Sequence, residues 1–179
     1  GTTYDANHID ATYAHIDGGT NNPGYFTDKN GTVVIDEVMA YVVLSDNMRK
    51  MTLYYDKYQE SHTEGPVILW SELQASHEMI NARETLVTID FDPSFAGLTT
   101  LTSTNYLFSG CRNLTAINGL EYLVTDNMTD MNEMFASCES LTVLDLSSFH
   151  TSKVTSMFGM FMDCRNLTTI IVGDGWDTT

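Results

Sequence analysis

The sequence predicts an α/β repeat protein, a solenoid with parallel strands on one face and short helical segments on the other. Two observations support this prediction. Cys111, Cys138 and Cys164 are 27 and 26 residues apart, and the apolar residues around them keep the same intervals. Within each interval, the spacing of apolar residues changes from that of a helix to that of a strand. Self-similarity at a fixed period of this length is typical of stacked repeats.

The predicted core consists of the positions that stay apolar from one repeat to the next. A degenerate copy lies upstream, where Leu86 and Ile89 precede Leu114 and Ile117 by 28 residues. The cysteines belong to this core, since a free cysteine packs as a small hydrophobe. A bridge between neighbouring copies would require Cα atoms within about 7 Å. The predicted core residues are Phe108, Cys111, Leu114, Met134, Phe135, Cys138, Leu141, Leu144, Met160, Phe161, Cys164 and Leu167.

The last copy shows how one unit is built. Its apolar residues Met157, Met160 and Cys164 follow the stripe of an amphipathic helical segment, and Ile170 and Val172 then alternate as in a strand. A helical turn followed by a short strand is a leucine-rich-repeat unit by length and by pattern. Neither half can bury its apolar face alone, so the units are expected to stack.

Two regions follow from this organisation. Residues 84–179 are expected to form about 3.5 to 4 leucine-rich coils. Residues 1–83 are expected to be a β-rich capping region, with a hairpin at about 40–56 around the loop 45–50 and a helix at about 70–83. A stacked repeat array needs a covered end, and this region is well placed to close it.

Charge and apolar patterning argue against nucleic acid as a partner and against a transmembrane helix. The chain has 24 acidic and 8 basic residues, a formal charge of −16. Nucleic acid is therefore not an expected partner, because phosphate binding needs clustered lysine and arginine. The longest apolar run, residues 38–44, is far too short for a transmembrane helix.

No catalytic motif supports an enzyme. The sequence contains no G-x-S-x-G, P-loop, G-x-G-x-x-G or kinase string. His8, Asp10, His15 and Asp17 could supply metal ligands, but they match neither the H-E-x-x-H nor the EF-hand spacing. We therefore expect a noncatalytic protein without a cofactor or a bound metal.

The repeats also resemble a known family. The string M-F-x-x-C-x-x-L-T-x-L-D-L-S-x-F-x-T-S-x-V-T-x-M is similar to the repeat of the BspA-like leucine-rich-repeat surface proteins of host-associated bacteria, over residues 84–179. The segment 40–61 resembles the hairpin that often precedes such repeats. The resemblance implies a secreted, extracellular protein of the bacterial cell surface, with a lipid anchor on the precursor and a role in adhesion.

The outward side of the predicted strands is the candidate binding surface, because repeat proteins usually bind through such a face. We expect an adhesion module that binds a protein or glycan on a host or neighbouring cell. One alternative is a carbohydrate-binding module for polysaccharide capture, suggested by Tyr54, Tyr55, Tyr58 and Trp70. Another is a spacer in a longer surface protein. The predicted ligand-binding residues are Thr88, Asp90, Asp92, Asn118, Asp145, Ser147 and Thr169.

Overall fold

A computed structural model describes residues 26–27, 33–34 and 38–177. The chain divides into two compact units, Gly1–Val38 and Met39–Thr179. In the first unit, β1 (Phe26–Thr27) and β2 (Val33–Val34) pair antiparallel. The histidines and aspartates of residues 8–17 lie outside the described residues.

The second unit contains the main sheet and one short α-helix among its described residues. The sheet has five strands in the order β5-β3-β4-β6-β7, and β8 and β9 form a separate parallel pair. The elements are β3 (Met39–Ser45), β4 (Lys50–Asp56), β5 (Val67–Leu69), α1 (His77–Ala82), β6 (Thr88–Phe91), β7 (Ala116–Asn118), β8 (Val143–Leu146) and β9 (Thr169–Val172). Short 3-10 helices cover Gln59–Ser61, Trp70–Glu72, Pro93–Gly97 and Leu120–Tyr122.

The main sheet is mixed. β3 pairs antiparallel with both β4 and β5, whereas β4 pairs parallel with β6 and β6 pairs parallel with β7. One hairpin thus continues directly into the strands of the first two repeat copies. The sheet extends across the predicted boundary at residue 83, and the division into those two regions stays a prediction.

The hairpin and the helix differ in detail from their predicted extents. Ser45 and Lys50 pair with each other, so the loop has four residues rather than six, and Asp46, Asn47 and Met48 all have a positive φ. The predicted helix at 70–83 is divided into a 3-10 turn and α1. The helix α1 begins late because the hydroxyl of Ser76 accepts a hydrogen bond from the backbone N–H of Met79, which caps the helix at that point.

The predicted leucine-rich-repeat solenoid is wrong. The strands do not form one parallel sheet through the repeats, because the array is interrupted after β7. There Gly119 adopts a left-handed conformation, and a 3-10 helix replaces the rest of the strand. In addition, the segments predicted to be helical are not helices.

Consecutive turns take the place of those helices. Glu133 and Ser137 have φ values of 49° and 58°, a backbone conformation that an α-helix does not allow. Every second backbone N–H group of these segments therefore donates to a carbonyl of the next unit, and not to a carbonyl of its own segment. The N–H of Phe108, for example, donates to the carbonyl of Met134 at 2.9 Å, and Phe135 donates to Met160 at 3.0 Å. The helical spacing of the apolar residues survives because each turn still points them inward.

Polar repeat residues join the units as well. The side-chain amide of Asn113 donates to the carbonyl of Glu84, and that of Asn166 donates to Glu139, both at 2.7 Å. The hydroxyls of Thr115 and Thr168 donate in the same way to Val87 and Thr142. The N-L-T string of the repeat thus supplies an asparagine and a threonine that each satisfy a carbonyl of the preceding unit.

Candidate functional site

The solvent side of the main sheet is formed by alternate residues of neighbouring strands. The register places Lys50 opposite Thr88, and Thr52 opposite Asp90, which in turn faces Asn118. Directly paired residues of a sheet point to the same face. The alternating partners, such as Met51, Leu53 and Ile89, are fully buried in the core on the other side. The predicted residues Thr88, Asp90 and Asn118 thus share one polar face with the hairpin, which we call the sheet face.

A chain of polar contacts crosses three strands of the sheet face. The ammonium group of Lys50 lies 2.7 Å from one carboxylate oxygen of Asp90, and the amide of Asn118 donates to the other oxygen at 2.7 Å. Burial raises the pKa of Asp90, but the hydrogen bonds from Lys50 and Asn118 and the charge of Lys50 outweigh it, so that pKa lies below its usual value. The hydrogen bond to Asp90 raises the pKa of Lys50. Both groups are therefore charged at neutral pH.

The remaining predicted residues lie in other settings. Asp92 caps the 3-10 helix that follows β6, where it accepts a hydrogen bond from the N–H of Ser94 at 2.9 Å. Asp145 lies on β8 and accepts from the N–H of Ser147 at 2.9 Å. Hydrogen bonds from Ser147 lower the pKa of Asp145. Thr169 lies on β9 opposite Val143 and is exposed.

The predicted ligand-binding residues on strands are thus divided between the main sheet and the β8-β9 pair. A depression of about 480 Å³ lies at this division and is lined by Asn118, Glu121, Asp145 and Ser147. At this depression, Asn118 at the end of the sheet face lies next to Asp145 of β8. The structure therefore groups Asn118 with both Asp90 and Asp145, although the two aspartates belong to different sheets.

An aromatic cluster borders the other end of the sheet face. Tyr41 and Tyr54 stack at a centroid distance of 5.3 Å, and His62 packs on Tyr54 at 4.5 Å. The hydroxyl of Tyr41 donates to Asp56 at 2.6 Å, and a ring nitrogen of His62 lies 2.8 Å from Glu64. Burial, together with the hydrogen bond to Asp56, raises the pKa of Tyr41 far above its usual value. Burial and the charge of Asp92 raise the pKa of Tyr54.

Lys50, Thr52 and His62 were not predicted as parts of the site. In the sequence, Lys50, Thr52 and Tyr54 alternate with the apolar residues Met51 and Leu53. This alternation predicts a strand with one face toward solvent, so Lys50 and Thr52 could have been included. The parallel pairing of β4 with β6, which places Lys50 beside Asp90, had no counterpart in the sequence pattern.

The predicted repeat core is buried except for three residues of the last unit. Phe161, Cys164 and Leu167 are half-buried and pack against the core, whereas the other nine predicted residues are buried. All three cysteines are free thiols. Burial raises the pKa of the Cys111 thiol to about 12.

Two kinds of feature are absent from the part of the chain that the structure describes. It contains no group of three or more His, Cys, Asp or Glu residues placed to hold a metal ion. None of its helices has the length and apolar character needed to cross a bilayer.

One comparison with known proteins is positive. The model of the family described as "Mycoplasma protein of unknown function, DUF285" matches residues 90–179, which is half of the chain. The chain belongs to this family. The DUF285 region begins at Asp90 of the sheet face and includes Asn118 and Asp145. No curated protein and no solved structure matches the chain.

Proposed function

We propose that this DUF285 protein is a noncatalytic adhesion module of a bacterial cell surface, and that its sheet face binds a protein or glycan on a host or neighbouring cell. The observation that carries the proposal is the Lys50–Asp90–Asn118 chain. It holds charged and amide groups in fixed positions on a face that has no catalytic constellation among the described residues. Preorganised polar groups bind a partner with a smaller loss of side-chain entropy.

The cell-surface location rests on the resemblance of the repeats to those of the BspA-like surface proteins. The description of DUF285 as a family of Mycoplasma proteins supports the bacterial origin. The charge of −16 favours a neutral or cationic partner over an anionic one.

The aromatic residues give less support to polysaccharide capture through an exposed aromatic row. Tyr55 and Trp70 pack against the core, and Trp70 contacts the ring of Phe95 at 5.5 Å. Tyr54 stacks on Tyr41 and His62 instead of offering a free ring face. Tyr58 is exposed. These four residues therefore do not form one row on which sugar rings could stack.

A charge exchange on the sheet face tests the proposal. The double variant K50D/D90K keeps an ion pair between β4 and β6 but reverses its direction. Beads coated with this variant should adhere to host epithelial cells or mucin at least about fivefold less than wild-type beads, the effect of losing roughly 1 kcal/mol of binding free energy.

The matched control exchanges a pair outside the sheet face. Arg112 and Glu139 lie 3.7 Å apart and connect two neighbouring units. Beads coated with R112E/E139R should adhere like the wild type. The proposal fails if wild-type beads do not adhere to any of these surfaces, or if both exchanges reduce adhesion equally.

A further inference from the structure

The outer side of the last repeat unit is apolar and exposed. Ile170 and Val172 of β9 are 41% and 47% exposed. Leu144 and Leu146, their partners on β8, are 3% and 0% exposed. Positions that form the core in one unit thus face solvent in the next. We call the outer side of β9, together with the turns that precede β9, the end surface. The adhesion proposal does not use it.

Large side chains of the preceding turns extend the apolar part of the end surface. Phe158 and Met162 are exposed, and Asn132 holds the position of Phe158 in the preceding unit. The rings of Phe135 and Phe161 stack with centroids 6.1 Å apart, and no other ring of the described residues contacts Phe161. Contiguous exposed apolar patches on folded proteins mark surfaces that another element covers.

The backbone of the end surface presents hydrogen-bond donors without acceptors. In the preceding unit, the N–H of Phe135 donates to the carbonyl of Met160 at 3.0 Å. The equivalent groups of the last unit are the N–H groups of Gly159, Phe161 and Asp163, which donate to no atom of the described residues. An element that covers the end surface therefore has to present a row of carbonyl oxygens, one at every second residue.

The opposite end of the repeats shows how such a row can be satisfied. There the free groups are carbonyls of the first complete unit. Gln74 donates to the carbonyl of Asn105 at 3.3 Å, and Arg83 donates to the carbonyls of Tyr106 and Ser109. No side chain of the described residues does this for the N–H groups of the end surface. Stacked repeats need both ends covered, and the two ends of this chain differ in this respect.

A further unit of the same repeat would present the matching groups. Its turn carbonyls would accept from the N–H row, as they do between the existing units. Its N-L-T asparagine would donate back to the last unit, as Asn166 donates to the carbonyl of Glu139. The carbonyls of Arg165 and Thr168, at the corresponding places of the last unit, accept no hydrogen bond from the described residues. The same end of a second copy presents the same N–H row and cannot satisfy it.

We propose that a further unit of the same repeat, carried by the same polypeptide, stacks on the end surface. The connection after β9 supports this source. The N–H of Asp177 donates to the hydroxyl of Thr151 at 2.7 Å, and after β8 the N–H of His150 donates to the hydroxyl of Thr125 at 2.8 Å. The chain thus leaves β9 along the path that leads from β8 into the last unit.

Extension of the chain by one unit tests the stacking. The extended protein carries a second copy of residues 153–179 after Thr179, which continues the repeat in register. Hydrogen exchange at the amides of Gly159 and Phe161 should slow at least about tenfold, because these groups become paired. The thermal midpoint should rise, because the apolar end becomes covered. If exchange at both amides is unchanged, the proposal is overturned.

A matched extension separates stacking from added length. In this control, serine replaces the copied Phe161, Leu167, Ile170 and Val172. Exchange at the Phe161 amide of the original unit should then equal that of the chain without an extension. Equal slowing by both extensions would contradict the proposal. Sedimentation equilibrium should show that the chain without an extension is a monomer, whereas a dimer protected at the Phe161 amide would overturn the proposal in favour of a second copy.

Peptide sequencing of the native protein tests the source of the unit. The tryptic peptide that begins at Asn166 should continue past Thr179, and a later peptide should contain another F-x-x-C-x-x-L string. A native peptide that ends at Thr179 would overturn the proposal. None of these measurements involves adhesion, so this proposal and the function proposed for the sheet face can fail separately.

Discussion

The thiol of Cys138 donates to the carbonyl oxygen of Phe108 in the preceding unit, across 3.3 Å. Cys164 has the same relation to Phe135 at 3.0 Å. The cysteine of the repeat therefore has two roles, as a small core side chain and as a donor that satisfies a carbonyl between units. Both roles need the protonated thiol.

The two buried thiols, Cys111 and Cys138, should be unreactive in the folded protein. With a pKa of about 12, the Cys111 thiol would be ionised in only about one molecule in ten thousand at pH 8, and the thiolate is the reactive form. Titration of the native protein with Ellman's reagent at pH 8 should therefore modify the half-buried Cys164 first. Cys111 and Cys138 should react only after unfolding. Equal reaction rates for all three thiols in the native state would contradict this description.

The ion pair of the sheet face should contribute to stability in a pH-dependent way. D90N should lower the free energy of unfolding at pH 7 by about 0.5–1 kcal/mol, since the pair is partly exposed. Because the pKa of Asp90 is lowered in the folded state, its contribution is present above the ordinary value of 3.8 and is lost as the pH falls through the lowered pKa. Urea unfolding at pH 7 and pH 3 measures this. The difference between wild type and D90N should shrink at pH 3, whereas the exposed control E60Q should differ little at either pH. A difference that is constant with pH would exclude an ionic origin.

The end of the sheet should depend on one glycine. Gly119 has φ +70°, and a Cβ added there would lie 2.5 Å from the carbonyl oxygen of Phe91. G119A should therefore cost about 2 kcal/mol or more in urea unfolding, from backbone strain plus the clash.

Gly159 provides the matched comparison for Gly119. It also has a positive φ, but the equivalent positions hold Tyr106 and Glu133, so the repeat accepts side chains there. A Cβ at Gly159 would first meet the flexible side chain of Glu133, at 3.1 Å. G159A should cost about 1 kcal/mol. Equal costs for the two variants would argue against the close approach of Phe91 as the cause.

Arg83 should stabilise the first complete unit from the side of α1. Its guanidinium donates to the carbonyls of Ser109 and Tyr106 and to the side chain of Gln74. Lysine cannot reproduce this fork, so R83K should lower the free energy of unfolding by about 1–2 kcal/mol and speed hydrogen exchange at residues 107–111. The exposed Arg165 serves as control, and R165K should change neither quantity. If R83K unfolds like the wild type, these contacts contribute nothing to stability.

The repeat period and the burial of its apolar positions were predictable from the sequence. The backbone geometry of the repeats and the pairing of the strands were not. Phe135 and Leu141 recur at fixed intervals and are buried, as a stacked repeat requires. The helical spacing was misleading, because a series of turns can present the same stripe. Gly110 and Gly159, both with a positive φ and both within that stripe, were an available signal against a helix. The pairing of β4 with β6 joins residues 38 positions apart, as with Lys50 and Thr88, and no local pattern encodes it.

If the proposal is right, this DUF285 protein contacts its partner through the sheet face, whose Asn118 end lies next to β8. Photo-crosslinking on living host cells tests it most directly, with p-benzoylphenylalanine placed at Val143 or at Arg165. Val143 is 51% exposed on β8, and Arg165 is exposed in a turn outside the strands. The Val143 position should give a discrete crosslinked product, and the Arg165 position should give none. A product from Arg165 alone, or equal products from both positions, would contradict it.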